Sequence, residues 1–164
     1  MPNIVRNSLF AYGDKERLQE LRERIKGTDR DIDFNKIIPM PDNIYCGPLG
    51  EKEIRQYGKN NWYDWSRKNW WTKWNAWDTA CSFEEQGEKA MIEISFSTAW
   101  NSPDPILQKI AEMFPDLRFE VLIDDEGIDQ IRYMAWENGV QTEEQMLDED
   151  EVSKNKSDIA EPTL

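Results

Sequence analysis

The chain contains no histidine. Without an imidazole to act as base, Ser-His and Cys-His nucleophile pairs are excluded. Only two cysteines are present, Cys46 and Cys81, far apart in sequence. They supply neither the Cys/His set of a zinc site nor the thiolates of an iron–sulfur cluster. Paired catalytic or structural thiols are not expected, and the reading is a cytoplasmic protein with reduced cysteines. No apolar run reaches the length needed to cross a bilayer. The first residues, MPNIVRNSLFAYG, lack the basic and then apolar regions of a secretory signal. There is no glycine-rich loop to cradle phosphates. Positive charge is scarce: 20 Lys and Arg stand against 33 Asp and Glu, for a net charge of −13.

That imbalance shapes the choice of partner. From Gln141 to Leu164 there are eight acidic and two basic residues, yet the rest of the chain is acidic as well. A plain phosphate-binding surface needs clustered Lys and Arg, so nucleic acid is the less favoured partner. An acidic surface suits a basic protein partner or mimicry of a polyanion. The segment after Gln141 is low in aromatics and is expected to be a disordered acidic tail, 141–164.

Hydrophobic periodicity organises the remainder. Asn3 to Tyr12 reads as a strand closed by Gly13-Asp14. Leu18, Leu21 and Ile25 make a helical stripe over 14–26, with Asp14 as N-cap and Gly27 as the stop. Pro39 and Pro41 keep 32–40 extended, and 51–69 reads as helical. Thr79–Glu84 and Lys89–Thr98 read as strands, with Ile92, Ile94, Phe96 and Thr98 on the buried face. Ser102 and Pro103 open a helix that Pro115 ends. Strands follow at 117–124 and 128–136. This order predicts an α+β, ferredoxin-like split β-α-β antiparallel sheet over 1–140. It carries an insertion at 28–78 after the first helix and an extra C-terminal strand. Two helices cover one face in that architecture, and the insertion is the expected cover for the other.

What is abundant is tryptophan. Six of the eight lie between 62 and 77 in NNWYDWSRKNWWTKWNAWD. One use is a core shared between insertion and sheet, since each buried Trp removes about 200 Å² from water. The other is a stacking platform, in which Trp70, Trp71, Trp74 and Trp77 hold a base or peptide and Arg67, Lys68 and Lys73 contact anions. Asp124, Asp125 and Glu126 form a second candidate binding group at a turn. The DDEGID stretch lacks the ligand set of an EF-hand loop, so a solvated hairpin explains it and no metal or other cofactor is expected.

Several stretches in one order carry a family resemblance. They are MPNIVRNSL, FNKIIPMPD, WYDWSRKNWWTKWNAWD, FSTAWNSPDPIL and FPDLRFEV. Over about residues 1–139 the chain resembles the YubB-type ferredoxin-like domain family, small uncharacterised proteins of plasmids, phages and integrated elements. The family pattern commonly has a glycine where this chain has Trp71, and it brings no catalytic residues. The resemblance and the acidic balance together imply a non-catalytic interaction protein of a mobile element. Counter-defence is the expected role: an acidic surface binding and inhibiting a basic host nuclease such as a CRISPR effector. The alternative is a single-stranded nucleic-acid binder that uses the Trp-rich insertion.

Overall fold

The computed structural model describes residues 3–148 and 150–151. Its central strand, β1 (Ile4–Asp14), sends Val5, Leu9 and Ala11 to one face and Phe10 and Tyr12 to the other. It is followed by α1 (Lys15–Ile25), a 3-10 turn (Phe34–Lys36), α2 (Glu51–Tyr57), α3 (Trp62–Asn69), β2 (Trp77–Gln86) and β3 (Lys89–Ala99). Then come α4 (Asp104–Met113), β4 (Arg118–Asp125), β5 (Ile131–Glu137) and β6 (Val140–Leu147). The six strands form one sheet in the order β2-β3-β1-β4-β5-β6, every neighbouring pair antiparallel. The first four strands with α1 and α4 make the split β-α-β, ferredoxin-like arrangement. No helix among the described residues is long and apolar enough to cross a membrane.

The main core lies on the face that bears the helices. Leu18, Leu21 and Ile25 from α1 and Ile106, Leu107 and Ile110 from α4 meet Val5, Leu9, Ile92, Ile94 and Phe96 of the sheet. Alternation in the strands and the 3.6-residue stripe in the helices aim these side chains inward. The opposite face carries a smaller buried cluster of Phe10, Tyr12, Met91, Leu122, Tyr133, Ala135 and Leu147.

Four expectations are corrected. The segment 32–40, expected to be extended, holds the 3-10 turn, which begins where the Asp33 carboxylate accepts from the Asn35 backbone N–H at 2.9 Å. The insertion does not cover the second face. Phe34, Ile37, Trp70 and Ala76 join the helix-side core, where they extend the layer begun by α1. The helix expected over 51–69 is two helices, broken at Gly58, whose φ of 57° ends α2. The acidic tail expected from Gln141 begins as a strand, β6. The Asn138-Gly139 pair, both with positive φ, forms the tight hairpin turn that returns the chain along β5. Residues 149 and 152–164 of that expected tail lie outside the described residues.

Trp70 ties the insertion to the sheet. It is 3% exposed, packs edge-on against Phe34 and Trp65, and donates its indole N–H to the Ile38 carbonyl at 2.8 Å. A Trp70→Ala variant should lose about 3–5 kcal/mol of stability, through lost burial and the cavity left behind. Urea unfolding measures this, and a loss below about 1 kcal/mol would show that Trp70 is not a core wedge.

Candidate functional site

After Trp70 the loop alternates between buried and exposed residues, with Thr72 and Ala76 inward and Trp71 and Trp74 outward. Trp71 and Trp74 are 49% and 40% exposed, among the most exposed large apolar side chains described. They belong to a loop, 70–76, that is pinned from several sides. The Ser66 hydroxyl donates to the Lys73 carbonyl at 2.8 Å, and the Thr72 hydroxyl to the Trp74 carbonyl at 2.7 Å. The Asn101 amide donates to the Trp71 carbonyl at 3.0 Å. This last bond joins the loop to the segment between β3 and α4, which supplies a further tryptophan, Trp100.

Together these segments build a ledge of alternating rings and cations. Trp62 meets Tyr63 edge-on, and Tyr63 meets Trp100 edge-on, each pair with ring centroids 5.8 Å apart. The Arg67 guanidinium lies 5.0 Å from the Tyr63 ring centre and 5.5 Å from that of Trp100. The Lys73 ammonium lies 4.6 Å from the Trp74 ring and 5.3 Å from Trp100. Trp77 closes the row against Trp74, with centroids 5.9 Å apart. Each cation–ring contact at such an exposed site is worth about 0.5–1 kcal/mol. Among the described residues neither Arg67 nor Lys73 has a carboxylate within salt-bridge distance, although the chain is strongly acidic. Their charge is held by rings and remains available to an anion. Exposed indole faces beside such cations can stack flat groups and attract negative ones.

The expected site residues thus divide. Lys73, Trp74, Trp77 and Arg67 share the ledge; Trp71 is exposed on the same loop without a ring contact to that row, and Trp70, expected beside them, is in the core. Trp62, Tyr63 and Trp100 were not among the expected site residues. Trp100 was legible as a lone tryptophan in a polar loop, before Asn101 and Ser102. Asp124, Asp125 and Glu126 sit at the end of β4, where two of them fasten the first described residues. Asp125 accepts from the Asn3 side-chain amide, and Glu126 from the Ile4 backbone N–H at 2.8 Å. The Asn3 carbonyl in turn accepts from the Trp100 N–H at 2.7 Å. The acidic turn and the ledge therefore meet at one end of the sheet. No group of three His, Cys, Asp or Glu side chains among the described residues is placed to hold a metal.

Two tryptophans of this region have left-handed backbone: Trp71 at φ 68° and Trp100 at φ 78°. That conformation costs a non-glycine residue roughly 1–2 kcal/mol. At position 71 a glycine would not carry this cost. Here a large side chain, half of it left in water, occupies a strained position. A Trp71→Gly variant should change stability by less than about 1 kcal/mol, since relief of the left-handed strain offsets the lost burial of half an indole and the chain entropy of glycine. Thermal unfolding tests this, and a loss of about 2 kcal/mol or more would show that Trp71 is a packing residue.

A cleft of about 760 Å³ opens beside the C-terminal end of α1. Its cations are largely neutralised from within: Arg22 pairs with Asp31 at 2.6 Å, Lys26 with Glu23 at 3.0 Å and Arg30 with Asp29 at 3.1 Å. The carbonyl end of a helix also repels anions. It is a weaker candidate than the ledge.

A carboxylate with a raised pKa, Glu120, lies on the second face. It is buried, ion-pairs with Arg118 through one oxygen, and its Oε2 has no hydrogen-bond partner among the described residues. Burial raises its carboxyl above the usual range, against the opposing effects of Arg118 and the Tyr133 hydroxyl, and Glu143 adds to the rise. Burial likewise raises the Tyr12 and Tyr133 phenols, with the Glu120 charge as the next cause. These groups lie inside the structure and off the ledge. A carboxyl with a raised folded-state pKa binds its proton more tightly in the folded chain. Its contribution is present below the ordinary glutamate range and is lost as pH rises through the raised value. Glu120→Gln should therefore gain stability relative to the parent as pH rises from about 4 towards neutrality. Urea midpoints across that range check this, and a difference that does not change with pH would refute the burial cause.

A family model described as the ferredoxin-like domain in Api92-like protein matches residues 69–161. Among solved structures, the crystal structure of a protein Api92 from Yersinia pseudotuberculosis is similar at 8% sequence identity and a TM-score of 0.45. The alignment covers 52% of this chain and 30% of that one. No curated protein matches.

Proposed function

The chain belongs to the family of ferredoxin-like domains in Api92-like proteins, and from that premise we propose that it acts by binding rather than by catalysis. Within the family we place it with the YubB-type domains suggested by its motifs. The proposed setting is a phage, plasmid or integrated element, with the protein in the host cytoplasm. The proposed role is counter-defence: binding and inhibiting a host nuclease, such as a CRISPR effector, through the acidic surface. The observation that carries this reading is uncompensated negative charge. Glu84, Glu88, Asp124, Asp129 and Glu143 are all exposed, and among the described residues none has a cation within salt-bridge distance. Like charges left unpaired in this way form a field that steers a basic partner and is screened by salt.

A second reading is favoured by the ledge. Arg67 and Lys73 face rings instead of carboxylates, beside the exposed Trp71 and Trp74. That combination suits a short single-stranded nucleic acid, with bases on the indoles and phosphates at the cations.

One pair of experiments separates the readings. The protein is immobilised, challenged with host lysate at low and high salt, and the bound proteins are identified by mass spectrometry. The expected outcome is a nuclease that is released as salt rises, and that is lost when Glu84, Glu88 and Glu143 are changed to Gln. Capture that survives both high salt and neutralisation would remove polyanion mimicry. Titration with single-stranded oligonucleotides, read by tryptophan fluorescence, serves the second reading. Quenching that disappears in Trp74→Ala would favour it over the first, and an unchanged signal would end it.

A further inference from the structure

The two edges of the sheet differ. On β2 exposure alternates, with Cys81 and Phe83 packed against the core. The segment before the 3-10 turn lies alongside it, and Asp31 donates its backbone N–H to the Thr79 hydroxyl at 2.8 Å. The other edge, β6, has seven consecutive exposed residues, from Val140 to Met146, and only Leu147 is buried. Apart from Leu147 in the second-face cluster and a contact with α4, its side chains lie in solvent. It is held by its ladder to β5 and by a few side-chain bonds, among them Arg132 to Glu144 at 2.8 Å. Among the described residues no strand pairs with its outer edge.

Such an edge is a row of open backbone donors and acceptors, and proteins ordinarily guard it with lysine, proline or a covering segment. On β6 there is no lysine and no proline. The guard it does have is acidic: Glu143 and Glu144 on the strand, Glu137 opposite Val140, and Asp148 just after it. No Lys or Arg occurs from Tyr133 to Glu151. Carboxylates at these positions repel an acidic strand, a second copy of β6 included, and attract a basic one. The exposed side chains of Val140 and Met146, 63% and 44% accessible, offer apolar contacts at the two ends.

We infer that β6 is a docking edge that takes up an extended basic segment of another protein as a seventh strand. Backbone hydrogen bonds supply the affinity of such strand addition, and the flanking side chains select the occupant. Glu143, which has no cation within salt-bridge distance among the described residues, selects for Lys or Arg and opposes self-pairing, whereas Glu144 is already paired with Arg132. The inference rests on the protein-binding reading above and adds where and how the partner is held.

The test uses the full chain, labelled with nitrogen-15, and two blocked peptides, one alternating lysine with valine and one alternating glutamate with valine. Amide exchange and chemical shifts are followed along β6. The expected result is that the lysine peptide slows exchange of amides within 140–146 and the glutamate peptide does not. Glu143→Lys should weaken the lysine peptide about threefold, as expected for one exposed charge pair. Consecutive amides of a strand point to opposite edges. Of the single variants Glu143→Pro and Glu144→Pro, one should therefore abolish peptide binding while leaving the β5 ladder intact. Equal protection by both peptides, no protection, or protection confined to the ledge or the 84–88 hairpin overturns the inference. A captured nuclease that leaves the β6 amides unprotected keeps the protein-binding reading and removes strand addition. Peptide protection without any captured nuclease removes the nuclease and keeps the docking edge.

Discussion

The burial of one indole governs the rest of this structure. Trp70 enters the core between Phe34 and Trp65 and satisfies its N–H on the Ile38 carbonyl. That hydrogen bond lets a large amphipathic ring be buried without an orphaned donor. It also couples two parts of the insertion that are far apart in sequence, the 3-10 turn and the end of α3. Once Trp70 points inward, its neighbour Trp71 has nowhere to go but out, and takes a left-handed backbone to get there. The ledge is in this sense a by-product of the wedge.

The same event decides how the layers are used. With Phe34, Ile37, Trp70 and Ala76 added beside α1, the helix side of the sheet becomes the single large core. The second face keeps a modest apolar cluster, with Glu120 and two tyrosines buried within it. Burial of an ionisable group costs stability, and Glu120 meets that cost by holding its proton more tightly and by pairing with Arg118. Neither face of the sheet is therefore the binding surface in these proposals. Recognition is assigned to what lies around the sheet: the loop between α3 and β2, the loop after β3, and the outer edge of β6.

Two unlike surfaces on a strongly acidic chain need not serve one partner. The ledge is cationic and aromatic in its immediate surroundings, whereas β6 is acidic and extended. Their separation gives each reading its own residues, and so its own variants. It also accounts for the ambiguity that composition alone creates. The net charge argues against nucleic acid, while Arg67 and Lys73, held on rings, form a local exception.

How much of this was legible in the sequence depends on the range of the forces involved. The stripe Leu18, Leu21, Ile25 and the alternation through Ile92, Ile94 and Phe96 declared their elements correctly, because periodicity is local and hydrophobic burial enforces it. From those elements the ferredoxin-like order followed. The Asn138-Gly139 turn was equally local, but the acidic composition beyond it was read as disorder, and β6 was lost to that reading. In the Trp-rich stretch, Trp70, Trp74 and Trp77 stand at i, i+4 and i+7, the spacing of one helical face. The helix instead ends at Asn69, so the periodic argument had no helix to act on. Whether an indole is buried or exposed, and which face of the sheet an insertion joins, depend on contacts across tens of residues, such as Trp70 with Ile38 and Asn101 with Trp71. The sequence by itself determined the strands and helices of the ferredoxin-like order and the sign of the charge. Only the tertiary structure decided which tryptophan became core and which became surface, because those roles are set by partners that local pattern does not contain.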